Sequence, residues 1–515
     1  MEPSARPDGP APAWAPLVLL ASVKFLLHHA LGDKYGYFRD ELYFLDCARH
    51  LDWGYVDHAP MIGLWAKIPL LLGATLPSLR VVPALAGAVL VLLAGLLAWR
   101  LGGGRYAQTF AALAVFAAPI YLGTDSLLTM NAFEPLFWMG AVCFLIRFID
   151  TGRGRLWIGA GAMIGLGLMN KHSTAFFAIA LAAALLLTRE RRALRTPWPW
   201  LGAATALLIF APNIVWQARH GWPTLEDLGN VARSGKNVVL GPVAFFGQQV
   251  LLLHPILLPL WIGGLGWLFL ARRGRYRLFA WMYAIFYVML FFMKAKNYYL
   301  APIYPVLFAA GAVGLESALG RLRAPRVRGV VAAAAIVVVV AAGALTAPLV
   351  VPLLSPEGYV AYEAALGVTP PRTEVAHRGP LPQMFGDQFG WEPLVADVVR
   401  AWYALTPEER ARAGIFANNY GEAGAINLLG PRFGLPPAIS AHQTYFLWGP
   451  GDFHGDILIV LQDTRESLQR LCDSVELGGL HSSPWGMAEE NNPIWVCRGL
   501  KTPLQELWPQ LKHWN

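Results

Sequence analysis

The stretch Gly36–Met61, "GYFRDELYFLDCARHLDWGYVDHAPM", crowds five acids, Asp40, Glu41, Asp46, Asp52 and Asp57, into one short segment. It follows directly on an apolar run, "APLVLLASVKFLLHHAL". Apolar runs of about 20 residues match the hydrocarbon thickness of a bilayer. A carboxylate-rich segment next to such a run belongs outside the lipid, because ionisable groups within spans are costly. Phe44, Ala48 and Leu51 recur at helical spacing, with Leu42 and Leu45 on a neighbouring strip. That pattern predicts a helix lying along the membrane surface. Asp40 and Glu41 fall in its first turn, where acids interact well with the helix dipole. Capping is therefore one explanation of the acids, and chemistry is another.

The rest of the chain supplies the context. Of its 515 residues, 56% are hydrophobic and 14% charged. Soluble domains carry about 25% charged residues. Runs long enough to cross a bilayer recur, so the sequence reads as a multi-span membrane protein rather than a large soluble helical enzyme. The start, "MEPSARPDGPAPAWAP", has no basic cluster before the apolar run and no clear small-residue cleavage site. It reads as a short disordered tail before a retained first span.

The net charge is +8, and arginines gather in "WRLGGGRY", "RFIDTGRGR", "TRERRALR", "ARRGRYR" and "GRLRAPRVR". Basic loops between apolar spans mark the cytoplasmic side, and no nucleic-acid partner is needed to explain them. Spans are expected near 14–31, 80–100, 106–123, 127–147, 156–170, 172–188, 199–216, 243–270, 278–293, 298–317 and 328–350. With the N-terminus in the cytoplasm, every arginine-rich loop falls inside and the C-terminus outside. The outer loops include 32–78 and the turns at Asp125, at Lys171 and at 294–297.

Beyond about residue 354 the composition changes. Helix-like "WEPLVADVVRAWYAL", "GEAGAINLLG" and "TRESLQRLCDSV" alternate with strand-like "AGIFANNY", "GDILIVLQ" and "NPIWVCRG". The alternation predicts a small α/β domain. The fold class is thus an all-α polytopic membrane protein of about 11 transmembrane helices with a C-terminal soluble α/β domain. The domains expected are 1–353, with the outer loop 32–78, and 354–515. Cys472 and Cys497 share the outer domain, where oxidising conditions permit a disulfide. Cys143 reads as a packing residue within a span.

Several polar groups share one depth on the outer side. Asp57 and His58 precede Pro60. Asp125 lies in "LGTDSLLTMNAFEPLFW", and Lys171 and His172 lie in "LMNKHSTAFF". Lys294, Lys296, Tyr298 and Tyr299 lie in "MKAKNYYLAPIYP". Snorkelling to the interface accounts for lysines better than for Asp125, whose side chain is short. A carboxylate there can take a proton from an attacking hydroxyl, and cations can stabilise a leaving phosphate. The groups therefore suit transfer from a lipid-linked phosphate to an acceptor outside the membrane. A transporter or flippase of lipid-linked sugars is the alternative, although such proteins favour broken helices near the midplane in repeated halves. Asp387, Trp391, Glu392, Asn419, Tyr420, Glu422, His442 and Trp448 of the outer domain suit a sugar surface, but aromatics there equally suit a core.

"FRDELYF" followed by "GYVDHAPM" resembles the family 39 glycosyltransferases, the bacterial relatives of protein O-mannosyltransferases and aminoarabinose transferases, which share the GT-C membrane fold. The likeness extends through "GTDSLLTMNAFEPLFW", "GLGLMNKHSTAFF" and "KNYYLAPIYPVLFAAG". It implies a bacterial inner-membrane enzyme that moves a sugar from a polyprenyl-phosphate donor to a glycan, lipid or protein acceptor, with inversion. It implies Asp40 as catalytic base, with Glu41 in support. Asp57 would be the ligand of a divalent metal, and Asp125 would bind substrate. His58, Lys171, Lys296, Tyr298 and Tyr299 would hold the donor phosphate. Asp57 and His58 stand where the aminoarabinose transferases have Glu-Lys, which shortens the acid and weakens the cation.

Overall fold

The structure, a computed structural model, describes residues 11–235, 238–369, 374–375 and 379–514. The first ten residues, and with them most of the expected N-terminal tail, lie outside the described residues. The chain forms two compact units. The first comprises the described parts of 1–32, 77–215 and 239–353; the second comprises those of 33–76, 216–238 and 354–515. The acid-rich segment thus clusters with the C-terminal residues.

The first unit is a helical bundle. Across the described residues, seven helices are long and apolar enough to cross a membrane: Trp14–Leu31, Leu76–Arg100, Met130–Thr151, Pro197–Arg219, Pro255–Gly274, Asn297–Gly320 and Pro325–Leu349. Shorter apolar helices at Arg105–Ala117, Leu156–Asn170, Thr174–Leu187, Pro242–Leu253 and Arg277–Phe292 fill the remaining expected segments. Differences from the expected spans fall at prolines. The run expected at 243–270 is interrupted at His254, whose φ is 83°, and at Pro255. The run expected at 106–123 breaks at Ala118, held extended before Pro119. In both cases the proline ring disfavours a helical residue before it.

Helices in lipid gain little from the hydrophobic effect and associate by close packing of small residues. The bundle shows this at two contacts. A Cβ on Gly264 would lie 1.9 Å from the Leu307 carbonyl oxygen, and one on Gly311 would lie 2.1 Å from that of Leu260. Gly161 likewise leaves no room beside the Gly202 carbonyl, where a Cβ would sit at 1.9 Å. Trp138, Phe177, Trp261 and Phe286 fill the interior, while Leu208, Val243, Leu270 and Phe292 are exposed. An outward apolar surface is what a bundle solvated by lipid requires. An apolar groove opens among Phe110, Leu260, Trp267, Leu315, Val331 and Val339.

In the second unit the acid-rich segment folds as the helix Arg39–Arg49. It was expected to lie on a membrane surface, but it is instead a core helix. Every residue from Glu41 to Ala48 is buried, with the helices Met61–Leu71 and Tyr420–Leu429 packed on it. The reason lies in Tyr43, Asp46 and Cys47. They occupy the face that the apolar periodicity left for water, and other side chains of the unit cover them. Gly424 allows the approach, since a Cβ there would lie 2.8 Å from the Leu42 carbonyl oxygen.

The C-terminal sheet has five strands: β1 (Ala413–Phe416), β2 (Ala438–Ile439), β3 (Ile457–Leu461), β4 (Cys472–Leu480) and β5 (Pro493–Leu500). Their order is β2-β1-β3-β5-β4. The β1 strand runs parallel to both β2 and β3, while β3, β5 and β4 are antiparallel neighbours. The helix expected through "TRESLQRLCDSV" stops at Leu471, and Cys472 begins β4. Cys472 and Cys497 join the neighbouring strands in a disulfide with Cα atoms 5.8 Å apart.

The glycine contacts give a direct test. Gly264→Ala is expected to destabilise the bundle by about 1–3 kcal/mol, the usual cost of overpacking. Gly263→Ala, where a Cβ meets nothing within 4 Å, is expected to leave thermal unfolding in detergent unchanged.

Candidate functional site

The expected site residues form two groups, one in each compact unit. In the second unit the five acids divide by what holds them. Glu41 accepts the Phe38 backbone N–H at 2.9 Å and so closes the start of its own helix. Asp46 is buried and accepts from Arg49, from the Tyr445 hydroxyl, and from Asn427 at 2.6 Å. Asp52 accepts the Trp216 indole N–H at 2.7 Å. Asp57 accepts the Tyr43 hydroxyl at 2.9 Å, and Thr444 Oγ1 lies 2.5 Å from that hydroxyl oxygen. Asp40 is half-buried, and its Oδ1 accepts the Tyr420 hydroxyl at 2.9 Å. Among the described residues its Oδ2 has no hydrogen-bond partner.

Two tyrosines therefore each serve one carboxylate. Their rings stack with centroids 4.9 Å apart. Burial and the adjoining carboxylates raise both phenols well above the usual range, so both are proton donors. Behind them, Arg39 lies 5.1 Å over the Tyr420 ring and 3.6 Å from both Glu489 and Glu490. Burial, with Glu490 close by, pushes Glu422 up to about 8.

His58 is enclosed by Tyr43, Phe44 and Tyr55. Its Nδ1 lies 3.0 Å from the Ala59 carbonyl oxygen, and its Nε2 lies 3.8 Å from both Cys47 Sγ and Asp57 Oδ1. Burial pushes it down to about 4, so the ring is neutral at pH 7. Among the described residues no three His, Cys, Asp or Glu side chains converge as metal ligands. Asp57, the carboxylate assigned to a divalent cation, is engaged by Tyr43. These side chains do not by themselves make a three-ligand protein site.

In the first unit Lys171, at the turn after Leu156–Asn170, is the centre. Its Nζ donates to Asn131 at 2.8 Å and to Glu134 at 3.2 Å. It lies 4.3 Å from the Tyr299 ring centroid and 5.5 Å from that of Tyr298, within cation–π range. Ser173 donates to the other Glu134 oxygen. Tyr298 and Tyr299 sit in the turn Asn297–Ile303, and half-buried Lys296 is the residue just before it. Asn131, Glu134, Thr124 and Tyr298 line a small crevice. Glu134 and Asn131 were not singled out in the sequence. The available signal was an acid inside an apolar run.

Asp125 is placed differently. It is buried, and its Oδ2 lies 3.0 Å from the ammonium of Lys24, itself fully buried in Trp14–Leu31. Lys24 also donates to the Tyr121 carbonyl at 3.0 Å. A Cβ on Gly87 would come within 2.4 Å of Asp125, so a glycine makes room for the pair. The sequence showed Lys24 as an isolated cation in the first apolar run, and its partner was about 100 residues away.

Residues 57–216 match the family model of dolichyl-phosphate-mannose-protein mannosyltransferase, and the chain has the GT-C fold. Among solved structures, ArnT from Cupriavidus metallidurans bound to undecaprenyl phosphate matches with a TM-score of 0.58 at 16% identity, over 93% of this chain and 97% of that one. The apo form of the same protein gives 0.56 at 17% identity with the same coverage. The archaeal oligosaccharyltransferase AglB from Archaeoglobus fulgidus, in complex with an inhibitory peptide and a dolichol-phosphate, gives 0.47 at 12% identity, over 87% of this chain and 69% of that one. No curated protein matches by sequence.

Breaking one partner of a buried ion pair typically costs about 3–5 kcal/mol, whereas replacing both with apolar groups is often neutral. Lys24→Met is therefore expected to lower the thermal midpoint sharply in detergent, and Lys24→Met with Asp125→Leu to recover most of the loss.

Proposed function

We propose that the protein transfers a sugar from a polyprenyl-phosphate donor to an acceptor hydroxyl at the outer face of a bacterial inner membrane. The observation that carries this reading is Asp40. It is half-buried, with one oxygen fixed by a phenol and the other unengaged among the described residues. The other four acids of the segment serve as acceptors within the unit. A carboxylate so held suits a general base.

The acceptor oxygen attacks the anomeric carbon and its proton passes to Asp40. The bond between that carbon and the phosphate oxygen breaks, polyprenyl phosphate leaves, and configuration inverts. Glu41 fixes the helix start from which Asp40 projects. Lys171 is assigned to the donor phosphate. Two of its three N–H groups are engaged among the described residues, which leaves one direction for an anion. Tyr298 and Tyr299 supply hydroxyl donors beside it, and Lys296 adds positive charge. The apolar groove of the bundle suits a polyprenyl chain. His58, neutral and enclosed, is assigned to packing, and Asp125 to the ion pair with Lys24. The Cys472–Cys497 disulfide supports an outer, oxidising location for the C-terminal domain.

Asp40→Asn is expected to fold normally and to reduce transfer by about 100- to 10,000-fold, the usual contribution of general base catalysis. A normal rate would remove Asp40 from the base role. Lys171→Ala is expected to weaken binding of a polyprenyl-phosphate analogue, and unchanged affinity would reject the phosphate contact. Mass spectrometry of membrane lipids and surface glycans, with and without the gene, identifies donor and acceptor. A lipid-linked sugar should accumulate and one glycan should disappear. Movement of lipid-linked sugar between leaflets of proteoliposomes with no new glycosidic bond would instead establish a flippase.

A further inference from the structure

The Tyr420 hydroxyl reaches Asp40 from a helix 380 residues away in sequence, and everything around it fixes its position. Tyr420 is the first residue of the helix Tyr420–Leu429, whose start is capped by Asn419. The Asn419 side-chain oxygen accepts the Gly421 and Glu422 N–H groups at 2.9 and 3.0 Å. The Tyr420 backbone N–H donates to His442 Nδ1 at 3.2 Å, and the two rings stack at 5.0 Å. Tyr43 stacks against the phenol ring too, and the Arg39 guanidinium lies over it. At Gly421 a Cβ would come within 2.7 Å of Arg39 and 2.8 Å of Trp391. The phenol is therefore built into the unit, and its oxygen has a set place.

We propose that Tyr420 is a positioning residue for the transfer reaction: its hydroxyl holds one oxygen of Asp40 so that the other is aimed at the acceptor. The proposal rests on the assignment of Asp40 as base. A phenol donating to a carboxylate stabilises its charged form. It thus fixes the rotamer of Asp40. The groups facing Asp40 are Arg39 on its own helix, His58 from the following loop, and Tyr420. Asp57 acts on Tyr420 from that same loop.

The test is Tyr420→Phe, which keeps the stacked ring and removes one oxygen. The kcat for transfer is expected to fall about 10-fold or more, with KM for the polyprenyl-phosphate sugar unchanged and the thermal midpoint within a few degrees. In an Asp40→Asn background, Tyr420→Phe is expected to add no further loss. A Tyr420→Phe enzyme with wild-type kcat overturns the proposal. So does a loss that multiplies undiminished onto Asp40→Asn, which marks a general structural defect. The Asp40→Asn single variant separates the two readings. If it transfers at a normal rate, the base assignment itself has failed; if it is inactive while Tyr420→Phe behaves as wild type, only the positioning role has.

Discussion

A carboxylate taken out of water has to be met by hydrogen-bond donors, and the helix Arg39–Arg49 turns this constraint into architecture. Arg49 meets one oxygen of Asp46, and Tyr445 and Asn427, brought from the C-terminal region, meet the other. Tyr43 on the same helix reaches Thr444, and Asp40 is met by Tyr420. The unit is closed around these contacts, and the apolar faces pack behind them. The position of Asp40 is therefore set by residues far away in sequence.

Much of the fold was legible because lipid imposes a coarse length rule. Long apolar runs separated by arginine-rich loops identify helices in a bundle, and their kinks fall where prolines stand. The β1, β3 and β5 strands and the helices Trp391–Ala404 and Tyr420–Leu429 were legible from periodicity. β4 was not, because Cys472 and Val475, both buried, lie three residues apart, a spacing that favours a helix over a strand. The acid-rich helix was recognised, but its surroundings were not. Period counting shows which face is apolar and says nothing about which polar side chains will find partners.

The candidate site divides in the same way. Lys171, Tyr298 and Tyr299 stand in quoted motifs, and the structure brings their side chains together. Asn131 and Glu134 complete that group from a motif that had been noted for Asp125. Asp125 turned out to be paired with Lys24, a partner that only three-dimensional folding brings close. His58 shows the limit of reading chemistry from residue type. The family resemblance implies a phosphate contact there, whereas burial among Tyr43, Phe44 and Tyr55 keeps the ring neutral.

The glycine contacts between Leu258–Leu270 and Tyr304–Gly320 bear on how the bundle can move. Backbone meets backbone at Gly264 and Gly311, and Trp261 packs edge-on against Tyr304 across the same pair of helices. Two rods welded in this way slide or rotate only together. The turn Asn297–Ile303, which carries Tyr298 and Tyr299, leads straight into one of them. It is mounted on a stiff strut, so Tyr298 and Tyr299 shift only when both helices shift.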